Sequence, residues 1–445
     1  MAVLRHTDEV LEALSFPERW HSVSQQPLVR SSKTRHMRIL TDTSIDRVHF
    51  SGAFPSIYFK SVNNFDDQNL LEVCSIQKKI WNERKASFLY VASPTELRIY
   101  NCFAEPVNPK QIEKLDEIQL FSYRIGEDEQ KLEKLIHVFS RSSIDSGLFW
   151  NERSISEKLN SDKRVDQALM RNLKEIRNEL QSSGLKIDII HDLLLRSLFI
   201  LYLEDRKATT IDFYAKYLKG AESYFDILEN IEATYTLFEK LEVSFNGNLC
   251  PVTPAERKQV KAKHLKLIKE CFWSHERSSK GQVQLFNWKI FDFSVIRIEL
   301  ISEIYEEFLS TEQGEDDTRK KGAYYTPHSL VDFILNEKLP WASEVHKDYS
   351  MKILDPTCGS GIFLVESFKR IVDRWMYANQ KEDIDYETLK KLLTDSIYGI
   401  EINADAIKVA AFSLYLALLD FLNPRTLWQN KKFPYLIYDP EKDDT

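Results

Sequence analysis

The segment Ile353-Leu354-Asp355-Pro356-Thr357-Cys358-Gly359-Ser360-Gly361-Ile362-Phe363-Leu364 constrains the fold more than any other stretch of the chain. An apolar run of strand length leads into two glycines one residue apart and then into an apolar helical run. Glycine lets the backbone turn sharply and approach a ligand closely, and a helix starting at the second glycine aims unpaired N–H groups outward. The pattern predicts a strand, a tight turn and a helix with a nucleotide-type ligand at the turn, because ligands of open α/β sheets sit beyond the carboxyl ends of the strands. The acid at the strand end, Asp355, suits a cationic or hydroxyl-bearing ligand better than a polyphosphate.

Two flanking segments narrow this expectation. Upstream, Gly322-Ala323-Tyr324-Tyr325-Thr326-Pro327 precedes a helical pattern carried by Leu330, Val331, Phe333 and Ile334. Downstream, Ile397-Tyr398-Gly399-Ile400-Glu401-Ile402-Asn403 reads as a second strand ending in an acid, followed by an alanine-rich helix over 404–419. A Rossmann-like fold places its ribose-hydroxyl acceptor at the end of its second strand. The gap from Gly361 to Glu401 exceeds the roughly 20 residues of a dinucleotide fold, and a further helix over about 386–394 is expected to help fill it.

In this order and spacing the three segments resemble the S-adenosylmethionine half of the amino-group DNA methyltransferases that modify adenine, in the circular order that puts the Tyr-Thr-Pro motif first. The resemblance implies S-adenosylmethionine as cofactor, double-stranded DNA as partner, and methyl transfer to the exocyclic amine of adenine in a restriction-modification or phage-defence system. It implies that Tyr324, Thr326 and Pro327, with neighbouring Tyr325, line the methionine end. Asp355, Gly359 and Gly361, with Pro356 and Cys358 of the same loop, would hold the amino acid moiety. Glu401, flanked by Ile402 and Asn403, would accept the ribose hydroxyls. Cys358 has no basic neighbour to lower its pKa and reads as a packing residue rather than a nucleophile. The chemistry needs no metal.

The family's catalytic (Asn/Asp/Ser)-Pro-Pro-(Tyr/Phe) loop, whose aromatic residue stacks on a flipped base, has no counterpart in this sequence. Asn423-Pro424-Arg425 and Asp439-Pro440-Glu441 lack the second proline and the aromatic, and read as turns. No catalytic residue is therefore assigned, and the isolated chain is expected to be inactive in transfer. Three explanations stay open: an amino-terminal part of a longer methyltransferase, a half completed by a partner chain, or a cofactor-binding sensor. Phe433-Pro434-Tyr435-Leu436-Ile437-Tyr438 reads as a run leading into further fold.

With 445 residues, 43% hydrophobic and 29% charged, the chain is expected to form two or three globular domains. We divide it into an α/β domain over 1–145, a helical domain over 146–310, and the start of a Rossmann-like methyltransferase domain over 311–445. Five scattered cysteines fit a reducing compartment. No leader or membrane-length apolar run appears, which points to the cytoplasm. The net charge of -8 argues against a bulk polyanion-binding surface, leaving local clusters for DNA: Arg319-Lys320-Lys321 after the acidic loop 312–317, and the run from Arg257 to Lys263.

In the first part, strands are expected over 56–60, 87–91 and 96–100, the last two pairing across Ser93-Pro94-Thr95, with a helix over 70–81. Such a domain invites comparison with restriction nucleases, whose metal site needs two strand-borne carboxylates and a lysine. The nearest set, Asp66 or Asp67 with Glu83-Arg84-Lys85, places Glu83 at a helix end and the aspartates in a loop. A structural or DNA-docking domain is thus the expectation, with a bifunctional nuclease as an alternative. In the middle part, helices are expected over 155–181, 187–206, 211–218 and 223–241. Thr253-Pro254-Ala255-Glu256 reads as a capped helix start in which the glutamate reaches back, beside a tight turn over 245–249. Phe286, Trp288, Phe291 and Phe293 are expected to pack in a core rather than stack on bases.

Overall fold

The computed structural model describes residues 6–16, 21–22, 44–51, 54–159, 161–209, 211–244, 251–273, 288–296, 298, 300, 326–423 and 433–438. The chain is mixed α/β with mostly helical content. Its packing separates two compact units, Met1–Leu169 with Trp273–Ile296 and Met170–Phe272 with Arg297–Thr445. The described residues of 146–169 and of 288–296, with Trp273, are grouped by pattern with the middle part but pack within the first unit.

The first unit is built on a six-stranded sheet: β1 (His21–Ser22), β2 (Arg47–Ser51), β3 (Phe54–Ser61), β4 (Phe88–Ala92), β5 (Glu96–Asn101) and β6 (Gln119–Arg124), in that order across the sheet. Only β3 and β4 run parallel, joined by the crossover helix Asp67–Glu83; the other pairs are antiparallel. The expected hairpin pairs Ala92 with Leu97 across its turn. β4 is buried at every position, which its continuous apolar sequence requires of a strand covered on both faces. Alternate residues feed two cores. Ile57, Phe59, Phe88, Tyr90 and Ile99 enter one, while Tyr58, Leu89, Val91 and Tyr100 meet Val73, Ile76 and Ile80 of the crossover helix in the other.

The aromatic residues behave as core. Phe291 and Phe293 are fully buried, Phe291 lies 5.9 Å from Trp81 between ring centroids, and half-buried Trp288 carries the Lys78 ammonium over its ring. Phe286 and the turn over 245–249 lie outside the described residues.

In the second unit the helix Ile187–Asp205 is buried on most of its surface. Arg196 on it donates to both oxygens of Glu256, at 2.8 and 2.7 Å. The helix Pro254–Gln259 does start as expected, with the Thr253 side chain accepting from the Glu256 N–H at 3.1 Å and proline in the first turn. The Glu256 side chain, however, does not reach back to the cap. A buried guanidinium is the stronger partner for a carboxylate removed from water. Tyr202 donates to Asp420 at 2.7 Å, and Arg206 also pairs with that carboxylate, tying this helix to the helix Ala404–Phe421.

Two expected helices are interrupted. The run over 155–181 is split into Arg153–Ser156, a 3-10 turn Ser161–Lys163 and Val165–Ser182, since Ser161 and Asp162 favour turns over a helix interior. The run over 223–241 divides into Tyr224–Ile227 and Ile231–Ser244, because Asn230 turns its side chain to accept from the Ala233 N–H at 3.0 Å. The pattern over 211–218 yields a helix only over Ile211–Tyr214.

The carboxyl-terminal part of this unit holds two short parallel strands, β7 (Ile353–Asp355) and β8 (Ile397–Gly399), with Asp355 opposite Gly399. Between them lie the helices Ile362–Ala378 and Tyr386–Ser396, the latter at the place expected for the gap-filling helix. The helix Ala404–Phe421 follows β8. Residues 433–438 form no strand. Buried Phe433 instead packs on Tyr386 and Tyr415, and the Tyr415 hydroxyl donates to the Pro434 carbonyl at 2.8 Å.

Candidate cofactor site

The parallel ladder brings the two acid-bearing loops together. Ile400 N–H donates to the Asp355 carbonyl at 2.9 Å, and Cys358 N–H donates to the Ile400 carbonyl at 3.0 Å. The Asp355 carboxylate then accepts from the Thr357 N–H at 3.1 Å, folding the chain back at the strand end. The turn closes with Gly361 N–H donating to the Cys358 carbonyl at 2.8 Å, and the Gly361 carbonyl accepts from Val365 at 2.9 Å to start the helix.

The two glycines serve different ends. Both have positive φ, +53° at Gly359 and +85° at Gly361. A Cβ at Gly361 would stand 2.8 Å from the Cβ of Ala410, so the helix Ala404–Phe421 can pack there only on a glycine. A Cβ at Gly359 would meet nothing within 4 Å, leaving open space over its backbone. Gly399 is crowded like Gly361: a Cβ there would lie 2.7 Å from Leu364 Cδ1 and 2.9 Å from Cys358 Sγ.

Glu401 bridges the loops. One carboxylate oxygen accepts from the Gly359 N–H at 2.9 Å, and the other from the N–H groups of Ile402 at 2.8 Å and Asn403 at 2.9 Å. Ile402 beside it is 95% exposed, an apolar side chain set in solvent next to a carboxylate. Asn403 begins the following helix, its side chain accepting from Ala406 N–H at 3.4 Å. The Cys358 thiol is buried, and burial together with Asp355 and Glu401 pushes it up to about 11. A thiol in that state is no nucleophile at neutral pH.

From the first motif, the Pro327 carbonyl accepts from Leu330 and Val331 to open the helix His328–Lys338. Val331, Leu335 and Leu339 pack on Ile362 at the start of the glycine-turn helix. Thr326 and Pro327 are thereby carried on a helix anchored to that turn; Tyr324, Tyr325 and Arg319-Lys320-Lys321 lie outside the described residues.

The anchor includes a cluster that the sequence reading missed. His328 faces Asp332 at 3.1 Å and Glu366 at 3.7 Å, Arg370 meets Asp332 at 3.1 Å and caps the Leu339 carbonyl at 2.9 Å, and Lys369 meets Glu366 at 3.1 Å. The only hint in the sequence was the i, i+4 spacing of His328 and Asp332. Among the described residues these are the one His/Asp/Glu group close enough to hold a metal ion. Each carboxylate is already matched by a cation, so the cluster is a charge-balanced pin between two helices.

Elsewhere, Arg257 of the basic run is held by Glu232 and Glu239 at 2.7 and 2.5 Å, whereas Lys258, Lys261 and Lys263 are exposed. The nuclease-type set is not assembled. Asp66 caps the start of the crossover helix, and Glu83 is its last residue, buried, with the Tyr58 hydroxyl donating to it at 2.7 Å. The 17-residue helix Asp67–Glu83 sets the two positions about 25 Å apart along its axis, too far to share an ion.

The parallel strand pair with its glycine turn is an open α/β arrangement, in which ligands bind beyond the carboxyl ends of the strands. Residues 297–423 match the model of the N-6 DNA Methylase family, whose methyl donor is S-adenosylmethionine. The chain is 32% identical over 113 residues to an adenine-specific methyltransferase, PglX, of Streptomyces coelicolor, covering 25% of this chain and 9% of that protein. It is 22% identical over 363 residues to the type II restriction enzyme and methyltransferase RM.Eco57I of Escherichia coli, covering 72% and 34%. The methylase subunit of the type I restriction enzyme HindI of Haemophilus influenzae is 26% identical over 156 residues, covering 33% and 30%. The chain thus spans about a third or less of each of these relatives. No helix among the described residues is long and apolar enough to cross a membrane.

Proposed function

We propose that this chain supplies the S-adenosylmethionine cradle of a site-specific DNA adenine methyltransferase in a restriction-modification or phage-defence system. The observation that carries the reading is the 2.9 Å bond between Gly359 N–H and Glu401, which sets the open glycine backbone beside the second-strand acid. In this reading the turn 355–361 receives the amino acid moiety, Thr326 and Pro327 approach the methionine end, Glu401 takes the ribose, and Ile402 covers the adenine ring. When bound, S-adenosylmethionine supplies an electrophilic methyl group. The chain's own residues bind and orient the donor, and double-stranded DNA is the other partner.

The residues that hold the target base are supplied by a further segment or a partner chain. The exposure of Leu354 at 57%, Ile400 at 56% and Tyr398 at 41% supports this, because parallel strands are stable only with both faces covered. The alternative of a non-catalytic cofactor-binding subunit shares the same site. It differs in predicting no methylation of DNA after the completing partner is added. Calorimetric titration with S-adenosylmethionine tests the site: wild type binds, and Asp355→Ala and Glu401→Ala each weaken binding at least tenfold. Unchanged affinity in both variants would overturn the assignment.

A further inference from the structure

The fold divides the basic run that starts at Arg257 into matched and unmatched charges. Arg257 is clamped between Glu232 and Glu239 at 2.7 and 2.5 Å, and Lys269 further along is held by Glu229 at 2.7 Å. Between these two neutralised ends stand Lys258, Lys261, Lys263 and Lys266, all exposed. No carboxylate among the described residues forms an ion pair with any of the four. The acids nearest in sequence are turned elsewhere: Glu256 is buried against Arg196, and Glu270, four residues after Lys266, does not pair with it.

Local structure keeps the four ammonium groups together. Lys263 and Lys266 are three apart on the helix Ala262–Cys271 and share a face, while buried Leu265, Ile268 and Cys271 hold the other face in the core. Lys261 starts that helix, and Lys258 lies in the last turn of the helix Pro254–Gln259. Their field is felt next door, where the His264 imidazole is held below its usual range, first by burial and then by Lys263 and Lys261. We propose that this stripe is a docking surface for the phosphate backbone of duplex DNA, blind to base sequence and outside the residues 297–423 that match the family model. The choice of DNA rests on the methyltransferase reading above. An ammonium is a compact point charge that binds phosphate without reading bases. The eight peptide steps from Lys258 to Lys266 reach at most about 29 Å, which fits within the roughly 34 Å of one duplex turn. In a chain with 68 acidic and 60 basic residues, such a stripe gives a polyanion one place to bind and release its counterions.

The test is a salt series with the full chain, a fluorescent duplex of arbitrary sequence and no S-adenosylmethionine. Wild type should bind. Changing Lys258, Lys261, Lys263 and Lys266 together to Gln should weaken binding at least about tenfold at low salt and flatten the slope of log K against log salt by about 3. Arginine at the same four positions keeps the charge and should restore the slope. Glutamine at Lys338, Lys347, Lys381 and Lys391, exposed elsewhere, makes the same change in net charge and should leave the slope as in wild type. No binding by wild type, an unchanged slope in the first set, no restoration by arginine, an equal loss in the control set, or tighter binding of a structured RNA than of the duplex would each overturn the proposal. Failure of wild type to bind S-adenosylmethionine would overturn the cofactor reading instead and leave these slopes to decide the docking surface.

Discussion

The six-stranded sheet of the first unit and the two-stranded pair β7–β8 of the second handle the same backbone chemistry in opposite ways. In the first, β4 is buried along its length and both faces carry a core. Even its buried carboxylate, Glu83, is met by a phenol whose own ionisation is pushed well above the ordinary range, first by burial and then by that glutamate. In the second, three-residue strands end in glycine-bearing loops, and Leu354, Tyr398, Ile400 and Ile402 stand in solvent. A sheet covered on both faces closes over its apolar groups, whereas the short strand pair leaves apolar groups and an acid at its ends exposed.

The largest expected difference between the two regions is in stability. Phe88→Ala in β4 should cost about 3–5 kcal/mol, as for a fully buried aromatic, whereas Leu354→Ala on the open face of β7 should stay within about 0.5 kcal/mol. Urea unfolding of both variants measures this, and a comparable loss at Leu354 would mean that its face is covered. A narrower test lies inside the open region. Gly361→Ala should destabilise by about 2–3 kcal/mol through left-handed strain and overlap with Ala410. Adding Ala410→Gly should recover the overlap share alone, and no recovery would remove Ala410 as the cause.

The smallest effect concerns Cys358. Its thiol is raised from 9.0 to about 11 in the fold, mainly by burial. The unfolded chain therefore ionises first, and the contribution of the neutral buried thiol is complete below pH 9 and lost as pH rises to about 11. The stability difference between wild type and Cys358→Ser, followed by urea midpoints, should shrink across that window. A difference that grows or stays level would contradict the buried position.

Local signals were legible in the sequence. The strand expected over 87–91 (found as Phe88–Ala92), the glycine turn, the cap at Thr253 and the helix at 386 all appear where short-range chemistry predicted them. What could not be read depended on partners far along the chain. Glu256 has a sensible local role as a helix-start glutamate, and only the fold brings Arg196 to it. Gly399 looked like an ordinary strand residue until Leu364 and Cys358 closed on it. Glu401 was legible as the acid after the second strand, but the three donors around it were not. Two of them are its own neighbours in a backbone conformation that the residue letters do not specify, and the third comes from the other loop.

Gly399 carries a consequence for how such a chain can change. With Leu364 and Cys358 each within 3 Å of the place a side chain would occupy, the three positions form one steric unit spread over two strands' ends and a helix. A randomised library at 399 alone should return glycine, whereas one that also varies 358 and 364 should admit alanine or serine together with smaller neighbours. Lineages would then be expected to hold all three residues fixed or to exchange them in concert.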